Sequence, residues 1–145
     1  MITWSEILRG RAVLADLPAA TQANLHVLYA RANELRALYG KPMKVNDGLR
    51  IVRGVGVARS RHLTGQAIDI DDTDDGPLWA WTLARLAYVA RIGFWIEDPR
   101  WTHGNGSWLH FQTVPPASGR RIFVPSSKPP TWDGWDGKYD RSLDA

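Results

Sequence analysis

The chain of 145 residues contains no cysteine. Disulfide bonds, thiolate metal sites and cysteine nucleophiles are therefore excluded. The sequence also lacks a run of roughly 18 consecutive apolar residues, which a membrane-spanning helix needs. Residues 1–14 mix charged residues with apolar ones and lack the apolar run of a signal peptide. We therefore expect a protein that is synthesised in the cytoplasm without a signal peptide and that has no membrane span.

The chain also has only a small excess of positive charge. Its 18 Lys and Arg and 15 Asp and Glu give a formal net charge of +3. The basic residues are scattered and no nucleic-acid-binding motif is present, so nucleic acid is not an expected partner. Mild basicity would suit attraction to an anionic polymer, but solvated arginines explain it equally well.

The acidic cluster over residues 71–75 lacks the ligand spacing of an EF-hand. We interpret it as a solvated turn whose last carboxylates favour the start of the next helix.

Hydrophobic periodicity and turn residues predict an α+β domain, with helices flanking a small, mostly antiparallel sheet. Helical patterns cover residues 3–10, 18–39 and 77–93, and the extended patterns cover 43–51 (a short strand and a turn), 66–71, 94–97, 108–112 and 122–124. We assign residues 1–125 to this domain and residues 126–145 to a C-terminal tail. Because Trp132 and Trp135 lie in a polar, Gly-rich segment, the tail either packs on the body or forms a docking arm.

A histidine and an aspartate lie seven positions apart, on either side of a glycine that permits a tight bend. They are His62 and Asp69, separated by Gly65. Side chains alternate along a strand, so the apolar pair Ile68 and Ile70 would face the core while Asp69 faces the other way. The spacing predicts that both polar side chains reach one site.

The third member of this site is His110, which lies in a later aromatic strand. The same alternation separates it from Leu109 and Phe111, so it can face one cleft with Asp69 if the two strands are neighbours. Two imidazoles and one carboxylate leave a coordination position open for water, as catalytic zinc requires. The residues therefore predict a Zn²⁺ hydrolase with His62, Asp69 and His110 as metal ligands.

The pattern SxHxxGxAxD over residues 60–69, followed by an aromatic-x-His at 108–110, resembles the zinc D-alanyl-D-alanine peptidases of bacterial cell walls. That family includes the vancomycin-resistance D,D-dipeptidases, the L-alanoyl-D-glutamate endopeptidases of phage lysins, and a zinc fold shared with hedgehog signalling domains. The resemblance implies a hedgehog/DD-peptidase-like fold and a phage or prophage lysin that acts at the bacterial cell wall. Its partners would be peptidoglycan peptides, cut by carboxypeptidase or endopeptidase action.

Residues 45–50, VNDGLR, also resemble the family's strand-turn element ending in Gly-x-Arg. The resemblance implies that Arg50 binds a carboxylate or peptide carbonyl of the substrate, with help from Ser60. Apart from the family, an arginine at a strand end is equally consistent with a surface position.

The resemblance has one gap, because family members usually place an acidic general base three residues before the final histidine, where this chain has Ser107. A hydroxyl cannot take a proton from water at neutral pH. We expect Glu97 to replace it, since a hairpin between residues 94–97 and 108–112 could bring its carboxylate near the metal. Asp98 and His103 are the alternatives from the same loop.

Two other classes of function stay open at this point. If no carboxylate reaches the metal, the domain would be a non-catalytic zinc-binding module of the same fold, for instance a wall-docking or virion component. A further alternative is a carbohydrate-binding protein that uses its tryptophans, of which the chain has 8.

Overall fold

Four helices and five strands make up the part of the chain that a computed structural model describes, namely residues 1–51, 60–73, 75–100 and 107–124. The predicted α+β class is confirmed. The helices are α1 (Trp4–Leu8), α2 (Ala19–Tyr39), α3 (Pro77–Ala84) and α4 (Leu86–Ile92), with 3-10 turns at Leu14–Asp16 and Arg61–Thr64. The strands are β1 (Val45–Asp47), β2 (Ala67–Asp71), β3 (Trp95–Glu97), β4 (Trp108–Gln112) and β5 (Ile122–Phe123). The predicted boundary at residue 125 and the tail lie outside the described residues.

The first two helices begin and end near the residues that the sequence indicates. Thr3 and Glu6 form a reciprocal capping box at the start of α1. The helix ends before the predicted Gly10, because Arg9 already adopts a left-handed conformation with φ of 59°. Helix α2 starts after Pro18 and ends at Gly40, and it buries the apolar stripe Leu25, Leu28, Ala32 and Leu35.

The prediction of a single helix over residues 77–93 is wrong in one respect. The chain forms two helices there, separated at Arg85. No glycine or proline marks this break. Leu78, Thr82 and Leu86 are buried at four-residue steps, and such steps drift about 40° each around a straight helix. We attribute the break to this drift, since it lets both halves keep their buried residues towards the core.

The sheet has the strand order β1-β2-β4-β3-β5, and all neighbours are antiparallel except β3 and β5. One face of the sheet packs into a single apolar cluster with α2, α3 and α4. Its members from the two central strands are Ile68, Ile70, Leu109 and Phe111, each at most 1% exposed. The predicted core face is therefore confirmed.

The N-terminal segment is tied to the body and to the turn that follows β1. The side-chain amide of Asn33 bonds both backbone groups of Ile2, at 2.7 Å and 3.0 Å. The carbonyl of Ile7 in α1 accepts from the N–H of Leu49 at 2.8 Å. These bonds fix α1 against residues 47–49, which border the site described next.

Among the described residues, no helix has the length and apolar character that crossing a membrane demands.

Candidate metal centre

Asp69 and His110 lie directly opposite each other on the neighbouring strands β2 and β4. Side chains at opposed positions share a face of the sheet. The Nδ1 atom of His110 is 2.9 Å from Oδ1 of Asp69, and both residues are buried. The two strands thus bring together the pair that the alternation predicts, on the face turned away from the apolar cluster.

His62 approaches the same carboxylate from the 3-10 turn that precedes β2. The hydroxyl of Ser60 caps this turn by accepting from the N–H of His62 at 3.3 Å. Gly65 ends the turn with φ of +72°, and a Cβ there would lie 2.7 Å from Cγ of Leu25. As a result, Nε2 of His62 lies 3.2 Å from Oδ1 of Asp69.

These three side chains form a buried cluster in which one donor atom from each lies within 4.8 Å of the others. The two imidazole rings are 5.1 Å apart at an interplanar angle of 71°. Two imidazole nitrogens and a carboxylate oxygen are ligands that zinc accepts, and they leave further coordination positions open. The donor set therefore fits a bound metal ion of this class.

The pKa values of two members are shifted by their mutual contacts. Desolvation raises the pKa of the Asp69 carboxyl, but the charge of His62 and the hydrogen bonds from both histidines outweigh it and hold the pKa well below its usual range. Desolvation lowers the pKa of His110, but the hydrogen bond and charge of Asp69 outweigh it and raise the pKa to about 9. Asp69 is therefore ionised at neutral pH, as a cation site requires.

Arg50 lies at the edge of this cluster and is held by an aspartate that the sequence analysis missed. Its Nε donates to Oδ2 of Asp47 at 2.5 Å, and its Nη2 is 3.8 Å from Oδ2 of Asp69. Its backbone N–H also donates to the carbonyl of His62 at 3.0 Å. The other carboxylate oxygen of Asp47 accepts from Arg11 at 2.8 Å. Arg50 thus presents a positioned guanidinium beside the metal ligands.

Glu97 lies on the other side of His110, on strand β3. The antiparallel register pairs Trp95 with Gln112 and Ile96 with Phe111. Continuing it by one residue sets Glu97 opposite His110, with Asp69 opposite the same histidine on β2. Beyond the larger effects of desolvation and of Asp69, the negative charge of Glu97 also favours the protonated form of His110 and so raises its pKa. A half-buried carboxylate therefore lies close to the cluster.

The remaining candidates for the base differ from Glu97 in their surroundings. Asp98 is fully buried, and its carboxylate accepts hydrogen bonds from the guanidinium of Arg100, the shortest at 2.7 Å. Ser107 uses its carbonyl to accept from the N–H of Asp72 at 2.8 Å. His103 lies outside the described residues.

The acidic cluster after β2 has a structural role at the start of α3. Both carboxylate oxygens of Asp72 accept backbone N–H groups, those of Leu78 and Trp79, each at 3.0 Å. Asp71 accepts from the side-chain amide of Asn46 at 3.0 Å. Among the described residues the cap comes from Asp72, near the start of the cluster, while Asp75 accepts from the hydroxyl of Thr73 and Asp74 lies outside the described residues.

Two carbonyl groups bind the outer nitrogens of the histidines, and their roles were not foreseen from the sequence. The carbonyl of Gly48 lies 2.7 Å from Nδ1 of His62, and Oε1 of Gln112 lies 3.1 Å from Nε2 of His110. The only signal for the second contact is the position of Gln112, two residues after His110 on the same strand face.

In comparisons with known proteins, no protein-family model and no curated sequence matches this chain.

Proposed function

We propose that this chain is a zinc-dependent peptidase that hydrolyses the stem peptides of bacterial peptidoglycan, in the manner of a phage lysin. The observation that carries the proposal is the buried convergence of His62, Asp69 and His110 within 4.8 Å. The resemblance of residues 60–69 and 108–110 to the cell-wall zinc peptidases supports the choice of substrate.

The three clustered residues would hold the ion through Nε2 of His62, a carboxylate oxygen of Asp69 and Nδ1 of His110. Bound zinc would supply a Lewis acid that polarises a carbonyl and lowers the pKa of water. Asp69 contributes the negative charge that balances the cation, and its buried position strengthens that interaction.

In this proposal Glu97 is the general base. Its carboxylate would take a proton from the attacking water and pass it to the nitrogen of the leaving amine. Glu97 is favoured over Asp98 because the strand register sets Glu97 opposite His110, whereas Asp98 is one residue further along and fully buried.

Arg50 would bind a carboxylate or carbonyl oxygen of the peptide. Its guanidinium is held by Asp47 and is only 17% exposed, so it loses little freedom when it binds an anion. Ser60 was predicted to assist, and its hydroxyl caps the turn that carries His62. Its contribution to substrate binding stays a prediction.

A second candidate function is a non-catalytic zinc-binding module that docks on the cell wall. The observation that favours it is Ser107, which stands where the related peptidases carry their acidic residue. The two candidates share the metal ligands and differ in whether Glu97 acts as a base.

The test is digestion of purified peptidoglycan, with release of new amino groups as the readout and zinc content measured on the same samples. We expect Glu97→Gln to keep zinc and to lose activity by about 10²- to 10⁴-fold, which is typical for loss of a positioned base. Glu34→Gln, which alters an exposed glutamate on α2, is the matched control and should digest the wall like the unaltered chain.

Three results would change the assignment. Full activity of Glu97→Gln would remove Glu97 as the base. Zinc binding without digestion of either lysine-type or diaminopimelate-type wall would favour the docking module. Retention of stoichiometric zinc by His110→Ala would contradict the ligand set.

A further inference from the structure

We propose that Gln112 is a positioning residue that selects the tautomer of His110, so that Nδ1 and not Nε2 of this histidine binds the metal. The inference rests on the metal site of the proposed function and concerns how the chain prepares that site. It assigns different coordinating nitrogens to the two histidines, Nε2 in His62 and Nδ1 in His110.

The orientation of the Gln112 amide is fixed by its second contact. Gln112 is completely buried, and its Nε2 donates to the carbonyl of Val114 at 2.8 Å. A backbone carbonyl only accepts hydrogen bonds, so the NH₂ group must face Val114. The amide oxygen Oε1 must then face His110, where it lies 3.1 Å from Nε2.

An amide oxygen also only accepts, so the Nε2 atom of His110 must carry a hydrogen to bond with it. A neutral imidazole carries one hydrogen, and Nδ1 is then left with a lone pair. That lone pair points at Oδ1 of Asp69, 2.9 Å away. In the metal-free chain a second proton on Nδ1 bridges these two atoms, and a bound metal ion would replace that proton, because a coordinating histidine is neutral.

The backbone does the same for the other histidine. The carbonyl of Gly48 accepts from Nδ1 of His62 at 2.7 Å, which leaves the lone pair of Nε2 facing Asp69. Both outer nitrogens therefore face carbonyl oxygens, which only accept, and both inner nitrogens face one carboxylate. Hydrogen bonds to the distal nitrogen commonly orient metal-binding histidines in this way. Gln112 differs from Gly48 in that a side-chain substitution can remove it.

The test uses the full chain labelled with ¹⁵N-histidine and loaded with zinc. Long-range ¹⁵N–¹H NMR spectra distinguish protonated from metal-bound ring nitrogens. In the unaltered chain we expect a hydrogen on Nε2 of His110 and zinc on Nδ1. Gln112→Leu should weaken zinc binding by about 10- to 100-fold and broaden or shift the His110 tautomer signals. Gln112→Glu, which keeps an acceptor oxygen for Nε2 of His110 but loses the donor to the carbonyl of Val114, should restore the tautomer.

Gln22→Leu is the matched control, because this glutamine also donates to backbone carbonyls but lies at the start of α2. It should bind zinc like the unaltered chain. The inference is overturned if zinc is found on Nε2 of His110 in the unaltered chain, whether or not Gln112→Leu folds. It is also overturned if Gln112→Leu keeps the same tautomer and affinity while the unaltered chain binds zinc. A chain that binds no zinc at all overturns the proposed function together with this inference.

Discussion

The two faces of the central sheet are formed by the same strands and are buried to a similar degree, but they are held together differently. On one face, Leu109 and Phe111 of β4 are fully buried among apolar side chains. On the other face, His110 and Gln112 of the same strand are at most 8% exposed, and both are hydrogen-bonded. Neighbouring residues of β4 therefore point alternately into the apolar core and into the metal cluster.

This comparison indicates how the sheet separates stability from chemistry. Burial of apolar area contributes about 25 cal/mol per Å² to folding. Burial of polar groups costs free energy unless each group finds a partner. The polar face meets that condition with the carbonyl of Gly48, the amide of Gln112 and the carboxylate of Asp69. We expect the apolar face to set the stability of the domain and the polar face to set its affinity for metal.

The largest effect should come from Phe111→Ala. The ring of Phe111 is fully buried and packs edge-on against Phe94 at 5.5 Å. Removing a buried aromatic ring typically costs about 3 to 5 kcal/mol of unfolding free energy. Denaturation in urea with a chelator would measure this loss, and zinc titration of the folded protein should still give the stoichiometry of the unaltered chain.

Val27→Ala is the control for this change, because Val27 is 42% exposed on α2 and its truncation should cost little. If Phe111→Ala loses zinc while keeping its stability, the two faces are coupled and the separation is wrong.

A smaller effect should appear in the pH dependence of stability, and zinc should reverse its sign. The pKa of His110 is about 9 in the folded chain, above the usual value of 6.5. With a chelator present, the stabilisation by His110 is complete below about pH 6.5 and is lost as the pH rises through about 9. We expect a loss on the order of 2 kcal/mol between about pH 6 and pH 8.5. With zinc in excess, deprotonation favours binding, so the zinc-dependent part of the stability should rise over the same range.

Urea denaturation at the two pH values, with and without zinc, measures both trends. Asp69→Asn provides the control, since it removes the carboxylate that raises the pKa of His110 and should flatten the trend seen with chelator. A stability of the unaltered chain that does not change with pH in chelator would contradict the ion pair between Asp69 and His110.

Much of the site could be predicted because local patterns encode it. The alternation of Ile68, Asp69 and Ile70 fixes which side chain leaves the core, and the same holds for His110 between Leu109 and Phe111. The glycine between His62 and Asp69 marks the bend. These patterns act within one turn or strand, so the sequence displays them directly.

The supporting contacts could not be predicted, because they join distant segments. The carbonyl of Gly48 is 14 residues from His62, and Arg11 is 36 residues from Asp47. Both contacts depend on the pairing of β1 with β2 and on the docking of α1, and no local periodicity records either. The break at Arg85 was missed for a different reason, since no glycine or proline marks it and the four-residue spacing of Leu78, Thr82 and Leu86 becomes informative only once their burial is known.

The smallest effect is expected from Gly48→Ala. This substitution tests whether the contact between α1 and Gly48 supports the metal site. A Cβ atom at this position would overlap the carbonyl oxygen of Ile7 in α1 and lie 3.0 Å from its carbonyl carbon. The backbone of residues 47–49 must therefore shift, and the carbonyl of Gly48 would move relative to Nδ1 of His62. We expect zinc affinity to fall by about 10-fold, at the lower end of the range for lost partners of metal-binding histidines.

Gly119→Ala is the control. A Cβ there meets no atom within 4 Å, and the positive φ of Gly119 should cost about 1 kcal/mol of stability without affecting zinc affinity. Isothermal titration with zinc separates the two variants. If Gly48→Ala binds zinc as tightly as Gly119→Ala, the contact between α1 and Gly48 supports only the fold, and the metal site does not depend on it.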